Sequence, residues 1–315
     1  MRYFCAININ VEQKEKIMKT FKTLSIVSGL LLVASLASCK KADKAGVYSP
    51  KKKIQQIYYS TPYLDKTPFE HWEWNGDRLN SITHYADVDF KGVTWIENFT
   101  YEDNRITRVD NYTNSEYITY DYDGNHLKSA TMFYRNAIAC TWSISYDGDK
   151  INKMSGTFYD IYYKKDGATL HLNPLSHLLP PCICENIAKR EQQLADQRHE
   201  EETFTLTFLL TWTDDNISKI VFTGDGEYID FQLQYDDKNC PWYGLMGSLE
   251  DYYSNFLTGH SGFTKNNVTS MIVTEDHYTD TLRYAYQYDS DKYPILQTMF
   301  FTDNTDSKQV FYFEY

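Results

Sequence analysis

One pattern constrains this chain more than any other: an aromatic residue, four polar residues rich in Asp, Gly and Asn, then an apolar residue. It reads Trp74-NGDR-Leu79, Tyr101-EDNR-Ile106, Tyr122-DGNH-Leu127 and Tyr146-DGDK-Ile151. After a gap it returns as Trp212-TDDN-Ile217, Tyr235-DDKN-Cys240 and Tyr288-DSDK-Tyr293. Asp, Asn and Gly supply the positive φ and the local side-chain hydrogen bonds of a hairpin turn. In the first five copies a further apolar or small residue follows three positions on: Ile82, Val109, Ala130, Met154 and Ile220. The closest copies begin 21 to 27 residues apart, room for two strands and two turns.

The segments between the turns alternate with period two. Phe204, Leu206, Phe208, Leu210 and Trp212 fall on one face, and Thr205, Thr207 and Thr211 fall on the other. Ile229, Phe231, Leu233 and Tyr235 likewise oppose Asp230, Gln232 and Gln234. Composition agrees, since 28 tyrosines and 17 phenylalanines suit a pleated, half-buried surface. The expected fold is therefore all-β, a large antiparallel meander of repeated hairpins forming a curved open sheet or partial barrel.

The repeats resemble the tyrosine-aspartate repeats of the RHS/YD class, and more closely the envelope lipoproteins of unknown function found in gut Bacteroidetes. The ending Tyr284-AYQYDSDKYPIL to Phe311-YFEY is similar to the way those proteins finish, as is Tyr235-DDKNCPWYG followed by Asn266-Asn267-Val268. Cys240 departs from that pattern, which has Asn before the proline. The resemblance covers most of residues 54–315. It implies a curved meandering sheet and an envelope location, and no particular activity.

The start of the chain gives an address. The apolar stretch Leu24–Ala37 is too short to span a bilayer but has the length of a signal-peptide core, and Met18-Lys19-Thr20-Phe21-Lys22 precedes it as a short basic region. It ends in Leu36-Ala37-Ser38-Cys39, which resembles a lipobox and implies cleavage before Cys39 and acylation of its thiol. Residues 1–17 fit no part of a signal peptide, so Met18 is read as the true start. Two or more acyl chains give stable anchoring where one does not. Residues 1–38 are thus expected to be a signal peptide, 39–53 a lipidated flexible tether, and 54–315 the repeat domain. That domain could form two lobes, 54–172 and 203–315.

Cleavage takes away five of 31 basic and two of 43 acidic side chains, leaving 26 against 41 and a formal net charge of −15. Such a surface repels nucleic acid. The segment Lys40–Lys53 is the exception, with six lysines against one aspartate, and reads as lying near anionic lipid. Basic rather than acidic residues after Cys39 favour the periplasmic face of the outer membrane over the cell surface.

Two segments break the meander. Residues 173–202 contain Pro174, Pro180 and Pro181, then helix formers with a thin stripe of Ile183, Ile187 and Leu194. One amphipathic helix lying over the sheet is expected there, and a partner-binding helix is the alternative. Residues 239–267 carry Trp242, Tyr243, Tyr252, Tyr253 and Phe256. These five are the ligand-binding candidates, an aromatic platform, against the alternative of a plug closing one end of the sheet.

Catalytic signatures are weak. Gly259-His260-Ser261-Gly262 lacks the spacing of a nucleophile elbow. The aspartate pairs Asp147/Asp149 and Asp289/Asp291 sit in the repeated turns, where conformation explains them. Cys140, Cys182, Cys184 and Cys240 read as buried thiols or one disulfide, and a metal site with His177 and His199 is the lesser alternative. No cofactor, metal or enzymatic activity is expected. The expected role is a lipid-anchored, non-catalytic binding or scaffold module that meets a glycan or a protein. The alternatives are a hydrophobe carrier, recognisable by a continuous apolar concave face, and a hydrolase with an unfamiliar site.

Overall fold

The computed structural model describes residues 45–85, 95–111, 116–159, 203–224, 227–245, 262–275, 278–301 and 304–315. Cys39 and the helix expected in residues 173–202 lie outside them, and no helix occurs among them. The strands are β1 (Gln56–Thr61), β2 (Leu64–Asn75), β3 (Arg78–His84), β4 (Trp95–Glu102), β5 (Arg105–Asn111), β6 (Glu116–Asp123), β7 (His126–Tyr134) and β8 (Ala137–Asp147). They continue as β9 (Lys150–Phe158), β10 (Phe204–Thr213), β11 (Asn216–Gly224), β12 (Glu227–Tyr235), β13 (Val268–Glu275), β14 (Tyr278–Tyr288), β15 (Pro294–Phe301) and β16 (Asn304–Glu314).

All 16 form one antiparallel sheet in sequence order, and the sheet closes into a barrel. The expected open sheet or partial barrel is thereby corrected. The closing seam pairs Gln56 with Glu314, Ile57 with Phe313 and Tyr59 with Phe311. An open sheet would leave the backbone groups of β1 and β16 unpaired at two edges, and closure removes both. The two prospective lobes are halves of the same wall, since β9 and β10 pair from Phe158↔Phe204 to Lys153↔Leu209.

The repeats build the hairpins at one end of the barrel. Gly76, Gly124, Gly148 and Asp214 take positive φ at the first turn position, and Asp103 and Asn104 both do in the β4–β5 turn. A bulge lies just before each aromatic residue, between Glu73/Trp74, Thr100/Tyr101, Asp121/Tyr122, Ser145/Tyr146 and Thr211/Trp212. The aromatic tip then donates to the carbonyl of the residue that opened the preceding repeat's second strand. Tyr101 Oη reaches Leu79 O at 2.9 Å, Tyr122 Oη reaches Ile106 O at 2.5 Å, and Tyr146 Oη reaches Leu127 O at 3.0 Å. Trp212 Nε1 does the same to Ile151 O at 2.6 Å. Each accepting carbonyl belongs to the cross-strand partner of such an aromatic, beside the extra residue that interrupts the regular ladder. The repeat is thus a device for stitching each hairpin to the one before it.

A cap covers these turns. Residues 45–53, the described part of the expected flexible tether, pack against the barrel instead. Ala45 N donates to Asn125 O, Ile106 N donates to Gly46 O, and Tyr48, 3% exposed, donates its hydroxyl to Pro241 O. Lys52 pairs with Asp289 and Asp291, and Lys53 pairs with Asp77. The tether is held because its lysines meet the aspartates of the turns and its tyrosine needs burial. Gly46 has φ +77°, and a Cβ there would lie 2.1 Å from the Tyr122 hydroxyl, so only glycine fits.

Inside and outside differ sharply. Ile57, Ile82, Ile118, Leu206 and Met271 point inward and are 0% exposed. A round barrel of this strand number leaves an aqueous bore, so the burial of these side chains means the interior is filled. Outward positions are mostly polar, such as Lys153, Ser155 and Thr157 on β9, Thr205, Thr207 and Thr211 on β10, and Gln232 and Gln234 on β12, with Ile138, Leu209 and Tyr228 among the exposed apolar exceptions.

Candidate functional site

Among the inward residues, one row of charged and amide side chains breaks the apolar rule most strongly. Glu70 on β2 pairs with His84 on β3, Glu97 on β4 pairs with Asn111 on β5, and Asn111 also pairs with Glu116 on β6. Register places all five toward the end of the barrel opposite the cap, on the face that carries Trp72, Ile82, Phe99, Val109 and Ile118. Their exposures run from 0% at Glu97 to 6% at Glu70, so this is a buried belt rather than a solvated rim.

Its centre is an imidazole between two carboxylates. His84 Nδ1 lies 3.6 Å from Glu70 Oε1, and His84 Nε2 lies 3.5 Å from Glu97 Oε2. The other Glu70 oxygen accepts from Trp72 Nε1 at 2.8 Å, which fixes the carboxylate against the core. Charges taken out of water cost several kcal/mol each unless they are paired and hydrogen-bonded. Concentrating three glutamates here therefore stands against the apolar majority of the interior. Chemically the belt accepts hydrogen bonds and favours positive charge. Among the described residues no group of three His, Cys, Asp or Glu side chains is arranged to hold a metal ion.

The residues singled out from sequence fall elsewhere. Trp242 is 3% exposed and packs edge-on against Phe313 at 5.5 Å, so its indole lies in the core. Burial of this kind is what a large aromatic at the capped end of the barrel gains most from. Tyr243 is half-buried under Lys265, whose Nζ lies 5.7 Å from its ring centre. Tyr252, Tyr253 and Phe256 lie outside the described residues, as do Cys182, Cys184, His177 and His199. Cys140 and Cys240 are buried. Asp289 serves its turn, with Oδ1 accepting from the backbone of Asp291 and Tyr293.

Sequence reasoning passed over the belt. The signal was a charged residue at inward parity, as in Glu97-Phe99-Tyr101 and Glu116-Ile118-Tyr120, but parity is assigned only once a strand's buried face is known. On the outer wall two cation–aromatic groups stand out. Arg108 lies 3.7 Å from the centre of the Tyr117 ring, which stacks on Phe133 at 4.6 Å. Lys66 lies 4.1 Å from the Tyr58 ring and 5.0 Å from the Tyr312 ring.

Searches of family models and of curated proteins find no match. Among solved structures, a porin-like protein from Bacteroides uniformis is similar at 10% identity and TM-score 0.46, covering 84% of this chain and 98% of that one. A porin-like protein from Bacteroides vulgatus is similar at 10% identity and TM-score 0.41, covering 83% and 98%.

Proposed function

We propose that this chain is a non-catalytic binding or scaffold module of the bacterial envelope, anchored by lipid on Cys39, with its barrel standing in water beside the membrane. One observation carries the reading: the wall is mostly polar outside, with its apolar side chains scattered rather than forming a band, and mostly apolar inside. A membrane-spanning barrel needs the reverse, an outward apolar band about 25 Å tall. A lysine facing lipid at the bilayer midplane costs ~2–4 kcal/mol, and the Lys219–Asp230 pair and Lys153 both sit on this outer wall. The test is fractionation of the full chain and of Cys39→Ser. Anchoring alone predicts that the variant moves to the soluble fraction in folded form. A variant that stays in the membrane through carbonate washing would sink the reading.

The ligand class favoured is a glycan or a protein met by the outer rings around Tyr117 and Tyr58, because planar aromatics beside cations suit both. A thermal-shift screen tests it. A ligand at a hundred times its dissociation constant stabilises by ~2.7 kcal/mol, and about 2–4 °C of midpoint shift accompanies each kcal/mol. The shift is expected to vanish in Tyr117→Ala or Tyr58→Ala. The second reading is a hydrophobe carrier, drawn from the apolar majority of the inward face, and it requires an acyl chain to displace side chains that now fill the interior. An acyl-chain hit that survives both substitutions would put that reading first.

A further inference from the structure

We infer that the hairpin-turn end of the barrel, with its cap, is the face held toward the lipid bilayer, so that the end bearing the buried acidic belt points away from the membrane. The inference rests on the lipid anchor proposed above and adds an orientation to it. Cys39 and Ala45 are separated by residues 40–44. Six residue steps span at most ~22 Å when fully extended.

The leash ends where the cap begins. Ala45 and Gly46 are hydrogen-bonded to Asn125 in the β6–β7 turn and to Ile106 at the start of β5. Lys53 and Lys52 then fasten the segment to Asp77 and Asp289 in two further turns. Slack cannot be drawn from this segment without breaking these bonds and exposing Tyr48. A strand such as β8 has 11 residues, and at ~3.3 Å per residue and a tilt of 35–45° it rises roughly 28 Å along the barrel axis. For the opposite end to meet the bilayer, the leash would have to run the whole height of the wall, which exceeds its full extension. Lys40, Lys41 and Lys44 lie on the leash, where they meet anionic headgroups ahead of the aspartate-rich turns.

The experiment uses the full chain, processed in a bacterial host and carried into vesicles containing an acceptor-labelled lipid. Single cysteines for a donor dye replace Asp147 at the turn end, Leu209 midway along the wall and Tyr63 at the far end, in a background with Cys182 and Cys184 changed to serine. Energy transfer is expected to fall in the order Asp147, Leu209, Tyr63. Equal transfer from all three, or the reverse order, would show the barrel lying on its side or inverted and would overturn the orientation while leaving the anchor intact. Transfer at none of the sites, with wild type as soluble as Cys39→Ser, would overturn the anchor as well.

Discussion

At Tyr101 and Tyr146 a single hydroxyl ties one hairpin to the next, and burial pushes both phenols up to about 12. A phenol whose folded value lies above its unfolded value of about 10 stabilises fully below pH 10 and loses that contribution as pH rises through 12. In Tyr146→Phe the Leu127 carbonyl loses this donor, and a stability loss of ~1 kcal/mol is expected from urea unfolding. Asp215 titrates at the other extreme. Hydrogen bonds from Lys265 and Lys150 hold its carboxyl at about 2, so Lys265, in the connection between β12 and β13, is fastened to the β10–β11 turn. A lowered carboxyl contributes stability above its unfolded value near 4, lost as pH falls toward 2. Asp215→Asn should flatten the acid limb of the stability profile between those values, checked by denaturation midpoints measured across that range. The carboxyl is 40% exposed, so screening keeps the effect modest. The aspartate-rich turn was visible in the sequence. Its lysine partners were not, because Lys265 comes from a distant connection.

Strands and turns were the most legible level. Period-two alternation placed Leu206, Phe208 and Leu210 inward correctly, and six of the seven aromatic–turn–apolar copies join consecutive strands. The seventh, Tyr235 to Cys240, leads from β12 into the cap instead, where Asn239 N donates to Lys292 O. The β7–β8 turn was missed, because Arg135 and Asn136 take positive φ without a glycine to announce it. Gly156 shows a constraint between neighbouring strands that no local pattern reveals. It pairs with Trp142, and a Cβ on it would lie 2.7 Å from the indole ring. Overpacking of this kind costs ~1–3 kcal/mol. Gly156→Val is expected to lower the denaturation midpoint and alter the near-ultraviolet signal of Trp142, and a compensating Trp142→Leu should recover part of the loss.

For the whole molecule, closure and the cap were the features sequence could not supply. Whether a meander stays open depends on its first and last strands finding each other, and Ile57 and Phe313 carry no local sign of that. The cap was half-legible: a plug was weighed for residues 239–267, but the basic stretch before β1 was read as a flexible tether near anionic lipid. Removing Tyr48 should open this end. Tyr48→Ala is expected to cost on the order of 3–5 kcal/mol, as for other large buried aromatics, with hydrogen exchange rising first at residues 240–245.

The seam between β1 and β16 also sets a folding order. Every other neighbour in the wall is the next strand along the chain, so hairpins can zip up one after another, most of them across short turns. The seam alone must join residues from opposite ends of the domain, and loop closure grows costlier as the intervening chain lengthens. It should therefore form last on refolding, and native-state exchange should show the amides along Ile57–Tyr59 and Phe311–Phe313 opening before those of β6–β9. If so, a circular permutant that joins the termini and cuts the β7–β8 turn would turn this late, long-range step into an early, local one.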